Sequence, residues 1–276
     1  MSASPTTSDA RTTSRAPASR RPRAAVIVPA RFASTRLPGK PLAEIGGLPM
    51  VVRVARRGEA AGCGPVTVAT DDARVMEVCE AHGVACVMTR ADHPSGSDRV
   101  HEALGLIDRA ALGGEPEAAI VLQGDLPLID PTHLALALDL LAASPETDIA
   151  TLASVIHDEH EADDANVVKA VGTPIEGEGT SEGDRLRALW FSRARAPWGE
   201  GPLLHHVGLY AYRTESLARF VGLAEGVLER RERLEQLRAL ENGMRIDIGI
   251  VGGQPLGVDA PADLERARAL VAGEDA

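Results

Sequence analysis

From Ala24 onward the chain alternates short apolar runs with amphipathic ones. The runs "AAVIVPA" (24–30), "PVTVATD" (65–71), "VACVMT" (84–89) and "AAIVLQGD" (118–125) are almost continuously hydrophobic, which marks strands covered on both faces of a parallel sheet. Helical stretches lie between them. "PMVVRVARRGEAAG" (49–62) begins on Pro and ends on Gly, and "DPTHLALALDLLAAS" (130–144) offers Asp130 as N-cap with Pro131 in the first turn. The second half reads differently: "DIATLASVI" (148–156), "NVVKAV" (166–171), "LRALWFSRA" (186–194), "HVGLYAYR" (206–213) and "MRIDIGIV" (244–251) are strand-like, with one strong helix, "LERRERLEQLRALENG" (228–243). The expected fold is α/β, a mostly parallel sheet with flanking helices, followed after about residue 150 by an additional mixed-sheet region.

Composition narrows the class. The 276 residues, 44% of them hydrophobic, suffice for one large domain. A net charge of -11 excludes a general nucleic-acid binder, whose footprint is basic. No window approaches the roughly 18–20 apolar residues that span a bilayer, so no membrane partner is expected. Cys63, Cys79 and Cys86 form no CxxC pair and are odd in number, which suits reduced thiols in the cytoplasm. Residues 1–23 are rich in Ser, Thr, Ala and Arg without apolar periodicity and read as a disordered tail, leaving 24–276 as a single domain.

Against that acidic background, "VPARFASTRLPGKPL" (28–42) is locally basic and directly follows the first strand. Arg31, Arg36 and Lys40 either surround a polyphosphate, with Gly39 letting the backbone approach, or form a solvated loop. It matches neither the GxxxxGK[ST] nor the GxGxxG fingerprint. "LQGDLP" (122–127) ends a buried strand on Asp125, a metal ligand or a turn residue, and Asp259 precedes a helix in "PLGVDAPADLERAR" (255–268). Mg²⁺ gives a reason to pair them, because it takes one or two carboxylates together with substrate phosphates. "HDEHEADD" (157–164) fits neither HExxH nor HxxEH and reads as a solvated loop.

The ordered set "PARFASTRLPGKPL", "VATDD", "HPSGSDRV", "LQGDLP", "NVVKAV", "FSRARAPW", "HHVGLYAYR", "LEQLRALENGMRI" and "GVDAPADLERA" resembles the CMP-Kdo synthetases, the 3-deoxy-manno-octulosonate cytidylyltransferases, from about Ala24 to Leu270. The resemblance implies a nucleotidyltransferase fold that joins CTP and the sugar acid Kdo into CMP-Kdo and pyrophosphate for lipopolysaccharide synthesis. It implies a homodimer, with the mixed-sheet region serving sugar binding and dimerisation. Arg36, Lys40 and Asp125 take the catalytic positions, and Pro29, Ala30, Arg31, Ser34, Ser95, Arg99 and Gln123 the nucleotide positions. Arg193, His206, Tyr210, Glu235 and Gln236 match the sugar motifs, and Asp125 with Asp259 the Mg²⁺ ligands.

Each match has a plainer alternative. Arg193 suits bidentate recognition of a carboxylate or a surface ion pair. His206 suits a packed strand as well as a ligand, and Glu235 and Gln236 lie beside the apolar stripe of Leu234, Leu237 and Leu240, where polar residues ordinarily face solvent. Three departures from the family pattern stand out: Leu126 where an acid is common, Asp98 where Glu is common, and the Gly-rich insertion "GTPIEGEGTSEGDRL" (172–186), expected as a mobile surface loop. Rival functions are a cytidylyltransferase for another acidic sugar, such as an 8-amino Kdo analogue or a nonulosonate, and a nucleotide sensor without catalysis.

Overall fold

Strand β1 (Ala24–Ala30) faces two cores at once. Ala24, Val26 and Val28 enter one hydrophobic cluster, whereas Ala25 and Ile27 enter the other, and this two-sided burial is why its sequence carries no polar alternation. The computed structural model describes residues 20–33, 36–253 and 256–274. Ser34 and residues 1–19 of the expected tail therefore lie outside the described residues.

A small ribbon of β2 (Glu44–Ile45) and β3 (Leu48–Pro49) leads into α1 (Met50–Ala60). The chain continues through β4 (Val66–Thr70), α2 (Ala73–Ala81), β5 (Cys86–Met88), α3 (Gly96–Leu106), α4 (Arg109–Leu112), β6 (Ala118–Leu122) and α5 (Pro131–Ala143). Asp130 caps α5 as expected, accepting the Thr132 amide at 2.8 Å. Then come β7 (Ile149–Val155), α6 (Glu159–Asp163), β8 (Lys169–Glu176), β9 (Arg185–Ser192) and β10 (Leu204–Arg213). The last elements are α7 (Thr214–Val221), α8 (Val227–Glu232), α9 (Gln236–Glu241), β11 (Ile246–Ile250) and α10 (Pro261–Glu274).

Among the described residues, nine strands form one sheet in the order β5-β4-β1-β6-β10-β7-β11-β9-β8. The first four are mutually parallel, β10 runs against both β6 and β7, and β8 and β9 close the far edge as an antiparallel pair. The mixed region expected after residue 150 thus extends the parallel sheet itself.

Three local expectations need correction. The helix expected over 228–243 is broken into α8 and α9 at Arg233, whose φ of 56° is left-handed. That conformation costs a non-glycine residue roughly 1–2 kcal/mol; it lets Leu234 and Leu237 reach the core while Glu229 folds back to Arg238. The insertion 172–186 is largely the β8–β9 hairpin, because Asp184 gathers the amides of Gly179, Thr180 and Ser181 at 2.8, 3.1 and 3.1 Å into a closed turn. These bonds, that of Ser181 foremost, hold its carboxyl below the usual range. Residues 20–23 at the end of the expected tail lie along the domain: Arg20 pairs with Glu117, Arg21 with Asp139, and the Arg23 amide with Glu117. Finally, the acidic run 157–164, expected as a solvated loop, contains α6, capped by Asp158.

Candidate active site

After β1 the chain adds β4 and β5 on one side, then returns to place β6 on the other, so the strand order reverses between β1 and β6. In open α/β sheets ligands collect at such a reversal, beyond the carboxyl ends of the strands. Gly124, just past β6, lies so close to β1 that a Cβ there would stand 3.0 Å from the Pro29 carbonyl oxygen. A cleft of about 1060 Å³ opens at this point. It is lined by Pro29, Ala30, Arg31, Arg36, Lys40, Ser95, Arg99, Gln123, Asp125, Glu235 and Asp259 of the expected set.

The basic loop ends on Gly39, whose φ of 70° turns the chain into a single 3-10 turn, Lys40–Leu42. Lys40 Nζ then lies 2.9 Å from Asp125 Oδ2 and 2.8 Å from Asp259 Oδ1, and Arg36 Nη2 lies 3.1 Å from Asp259 Oδ2. The Val258 amide donates to the Asp125 carbonyl at 2.9 Å, which brings the two acid-bearing segments together. Burial raises the Asp259 carboxyl, but the Lys40 hydrogen bond and charge, then Arg36, outweigh it and hold the group below its ordinary range. Two carboxylates converge here on one cation. Hard oxygen donors that face an open cleft suit Mg²⁺, which completes its shell with phosphate oxygens and water. Among the described residues no group of three or more His, Cys, Asp or Glu forms a metal cage, so a site here takes its remaining ligands from outside the chain.

The opposite wall is the start of α3. Ser95 caps α3, accepting the Asp98 amide at 3.3 Å, and donates its hydroxyl to Asp98 Oδ2 at 2.6 Å. Arg99 is only 3% exposed and donates to Asp71 Oδ2 at 2.8 Å and Thr89 Oγ1 at 2.5 Å. Asp71 and His93 lie within the motif segments "VATDD" and "HPSGSDRV", but neither stands out in the sequence as a site residue. His93 lines the cleft with its Nε2 on Glu102. Glu229, Arg230, Arg233 and Arg238 of the α8–α9 elbow also line it, and nothing in their helical pattern signalled that.

The expected sugar residues divide. Glu235 lines the cleft; burial pushes its carboxyl up, and one oxygen accepts from Ser97 at 3.2 Å. Arg193 turns its guanidinium to main-chain carbonyls instead, donating to Glu232 at 2.8 Å, Ala165 at 2.9 Å and Arg233 at 3.3 Å. His206 and Tyr210 are not among the residues lining the cleft; their rings pack against each other at a tilt of 53°, with centroids 5.4 Å apart. Thr151 Oγ1 lies 2.9 Å from His206 Nε2 and within reach of the Leu209 carbonyl at 2.8 Å and the Val207 carbonyl at 3.3 Å. Burial, then the neighbouring His205, push the His206 pKa down to about 3, and burial raises the Tyr210 phenol well above its ordinary range. Gln236 is 3% exposed, facing the interior and not solvent. Leu126 is buried in the core, where a carboxylate would be desolvated.

A family profile described as Cytidylyltransferase matches residues 25–246. A 3-deoxy-manno-octulosonate cytidylyltransferase of Methylorubrum extorquens (strain PA1) is 59% identical over 247 residues, covering 90% of this chain and 96% of that one. The protein of the same name from Rhodopseudomonas palustris (strain BisB18) is 58% identical over 248 residues, covering 90% and 97%. A solved CMP:2-keto-3-deoxy-manno-octonic acid synthetase complexed with CTP superposes with a TM-score of 0.81 at 39% identity, over 91% of this chain and 99% of that one. With the motifs in order along one sheet, and relatives this similar from end to end, the chain belongs to the 3-deoxy-manno-octulosonate cytidylyltransferase family.

Proposed function

We propose that the cleft joins CTP to Kdo. The observation that carries this reading is the Lys40 ammonium held between Asp125 and Asp259, at the end of the basic loop and across from the start of α3. The triphosphate lies along Arg31, Arg36 and Lys40, with the α3 amide end adding favourable polarity for an anion. Pro29, Ala30, Ser95 and Gln123 form the walls around the nucleotide, and Arg99 braces them through Asp71. The anomeric oxygen of Kdo attacks the α-phosphorus, a new P–O bond forms as the bond to the β-phosphate oxygen breaks, and the hydroxyl proton leaves to solvent. Lys40 and Arg36 offset charge that accumulates on the phosphate oxygens. Asp125 and Asp259 would hold Mg²⁺, which would supply Lewis-acid neutralisation of the same charge.

On the sugar side, Glu235 is the member of the expected set that meets the cleft, and Arg193 fixes the main chain two residues before it. His206, Tyr210 and Gln236 support the wall behind. The resemblance further favours a homodimer, for which Leu189 in β9 and Trp198 beyond it, 56% and 100% exposed, are natural contact residues. A cytoplasmic setting agrees with three free cysteines and with the lack, among the described residues, of a helix long and apolar enough to cross a membrane. The test is pyrophosphate release with each of four nucleoside triphosphates and a panel of acidic sugars. CTP with Kdo is expected to give the highest kcat/KM; a better rate with an 8-amino analogue or a nonulosonate would reassign the sugar.

A further inference from the structure

The loop that carries the phosphate cations is held from the side by a segment with no contact to the reacting groups. Phe32 packs against the core cluster of β1, and the Arg74 guanidinium lies 3.5 Å from the centre of its ring. Arg74 is itself aimed by Asp72, which receives Nε at 2.9 Å and Nη2 at 2.6 Å. The main chain of Phe32 is tied to the same corner, its amide donating to Asp71 Oδ1 at 3.4 Å while the other oxygen of Asp71 holds Arg99 at 2.8 Å. The corner between β4 and α2 therefore holds both ring and backbone of one loop residue.

The free edge of that ring faces Gly39. A Cβ on Gly39 would lie 3.5 Å from Phe32 Cζ, so only the space of one methyl group separates the left-handed turn from the ring. The Leu42 amide donates to the Gly39 carbonyl at 2.9 Å and the Lys40 amide to the Leu37 carbonyl at 3.1 Å, so the turn is hydrogen-bonded within itself. Lys40 is its first residue, and its ammonium meets both acids. We propose that Phe32 and Arg74 are positioning residues: the stacked pair sets the height of the Gly39–Lys40 turn and thereby places the Lys40 ammonium against Asp125, Asp259 and the triphosphate. This rests on the reading of the loop as the CTP phosphate site.

The test is steady-state kinetics on the full chain, varying CTP and Kdo separately, for Arg74→Ala, Arg74→Lys, Phe32→Leu, Phe32→Tyr and the double variant Arg74→Ala/Phe32→Leu. Arg74 is an exposed side chain, so its removal is expected to leave the melting temperature within about 2 °C of the parent. Arg74→Ala and Phe32→Leu each raise the KM for CTP about fivefold, leaving the KM for Kdo unchanged. Arg74→Lys and Phe32→Tyr, which keep a cation and a ring, restore most of the loss. The double variant is no worse than Phe32→Leu alone, because the two residues act through one contact. Parent-like kinetics in Arg74→Ala, or additive losses in the double variant, overturn the proposal. Lys40→Ala is run alongside: an impaired Lys40→Ala with silent Arg74 and Phe32 variants refutes the clamp alone, whereas an unimpaired Lys40→Ala refutes the phosphate-site reading and the clamp with it.

Discussion

Lys40 and His206 are single residues whose surroundings decide their behaviour. Lys40 stands between two carboxylates at 2.9 and 2.8 Å, so removal of either acid changes charge with little change in volume. Asp125→Asn and Asp259→Asn are each expected to lower turnover by orders of magnitude with the fold retained, read by pyrophosphate release beside circular dichroism. Parent-like turnover in either would take that residue out of the site. Activity should likewise disappear with a chelator and return with Mg²⁺. His206 gives a pH prediction. Folded, it takes a proton only near pH 3, against 6.5 for an unperturbed histidine. The unfolded chain therefore binds more protons throughout that window, and stability falls as pH falls through it, by up to about 1.4 kcal/mol per unit from this group. His205, pushed down to about 4 by burial and then by Lys169, adds in the same direction. Denaturant midpoints at pH 7 and pH 5 for the parent and His206→Gln check this; an equal fall in both would exclude His206 as a source.

At the scale of elements, the elbow between α8 and α9 is where helical periodicity misled. The pattern of Leu234, Leu237 and Leu240 describes the buried stripe correctly, but a periodic stripe carries no information about one left-handed residue within it. Arg233 adopts that conformation because tertiary partners fix its neighbours. Arg193 reaches from β9 to the Glu232 and Arg233 carbonyls, and Arg238 meets Glu229 in two hydrogen bonds of 2.9 and 2.6 Å. Both members of that pair are buried, with side chains 10% and 7% exposed. Removing Arg238 as Arg238→Met leaves Glu229 charged and unpaired, at a cost of about 3–5 kcal/mol, to be read from denaturant unfolding. The double variant Arg238→Met/Glu229→Leu should recover much of the loss; no recovery would show that the pair is not the cause.

At the scale of the whole molecule, the predictions concern its ends and its assembly. Residues 1–19 lack apolar periodicity, and their deletion is expected to leave melting temperature and rate near the parent. Extending the deletion through Arg23 also removes exposed ion pairs to Glu117 and Asp139, worth about 0–1 kcal/mol each. A large drop from the shorter deletion would show that the tail docks. If β9 and the segment beyond it form the homodimer contact, Leu189→Asp with Trp198→Asp should halve the mass seen by light scattering, and an unchanged dimer would place the interface elsewhere.

The chain by itself determined its strands and its chemistry classes. β1, β4 and β6 are legible because burial on both faces forces continuous apolar runs, and a basic, Pro- and Gly-rich loop in an acidic protein stands out as either an anion site or a solvated loop. Asp125 and Asp259 could be suspected as partners, since magnesium chemistry asks for two such acids. Tertiary structure alone decided the rest. It placed Lys40 between those acids, turned Arg193 toward carbonyls of the elbow, and drew Asp71, Arg74 and Phe32 into a support for the loop. Side-chain identity restricts which partners are chemically possible; only the crossing of distant strands at the reversal between β1 and β6 brings a particular donor within hydrogen-bond reach of a particular acceptor.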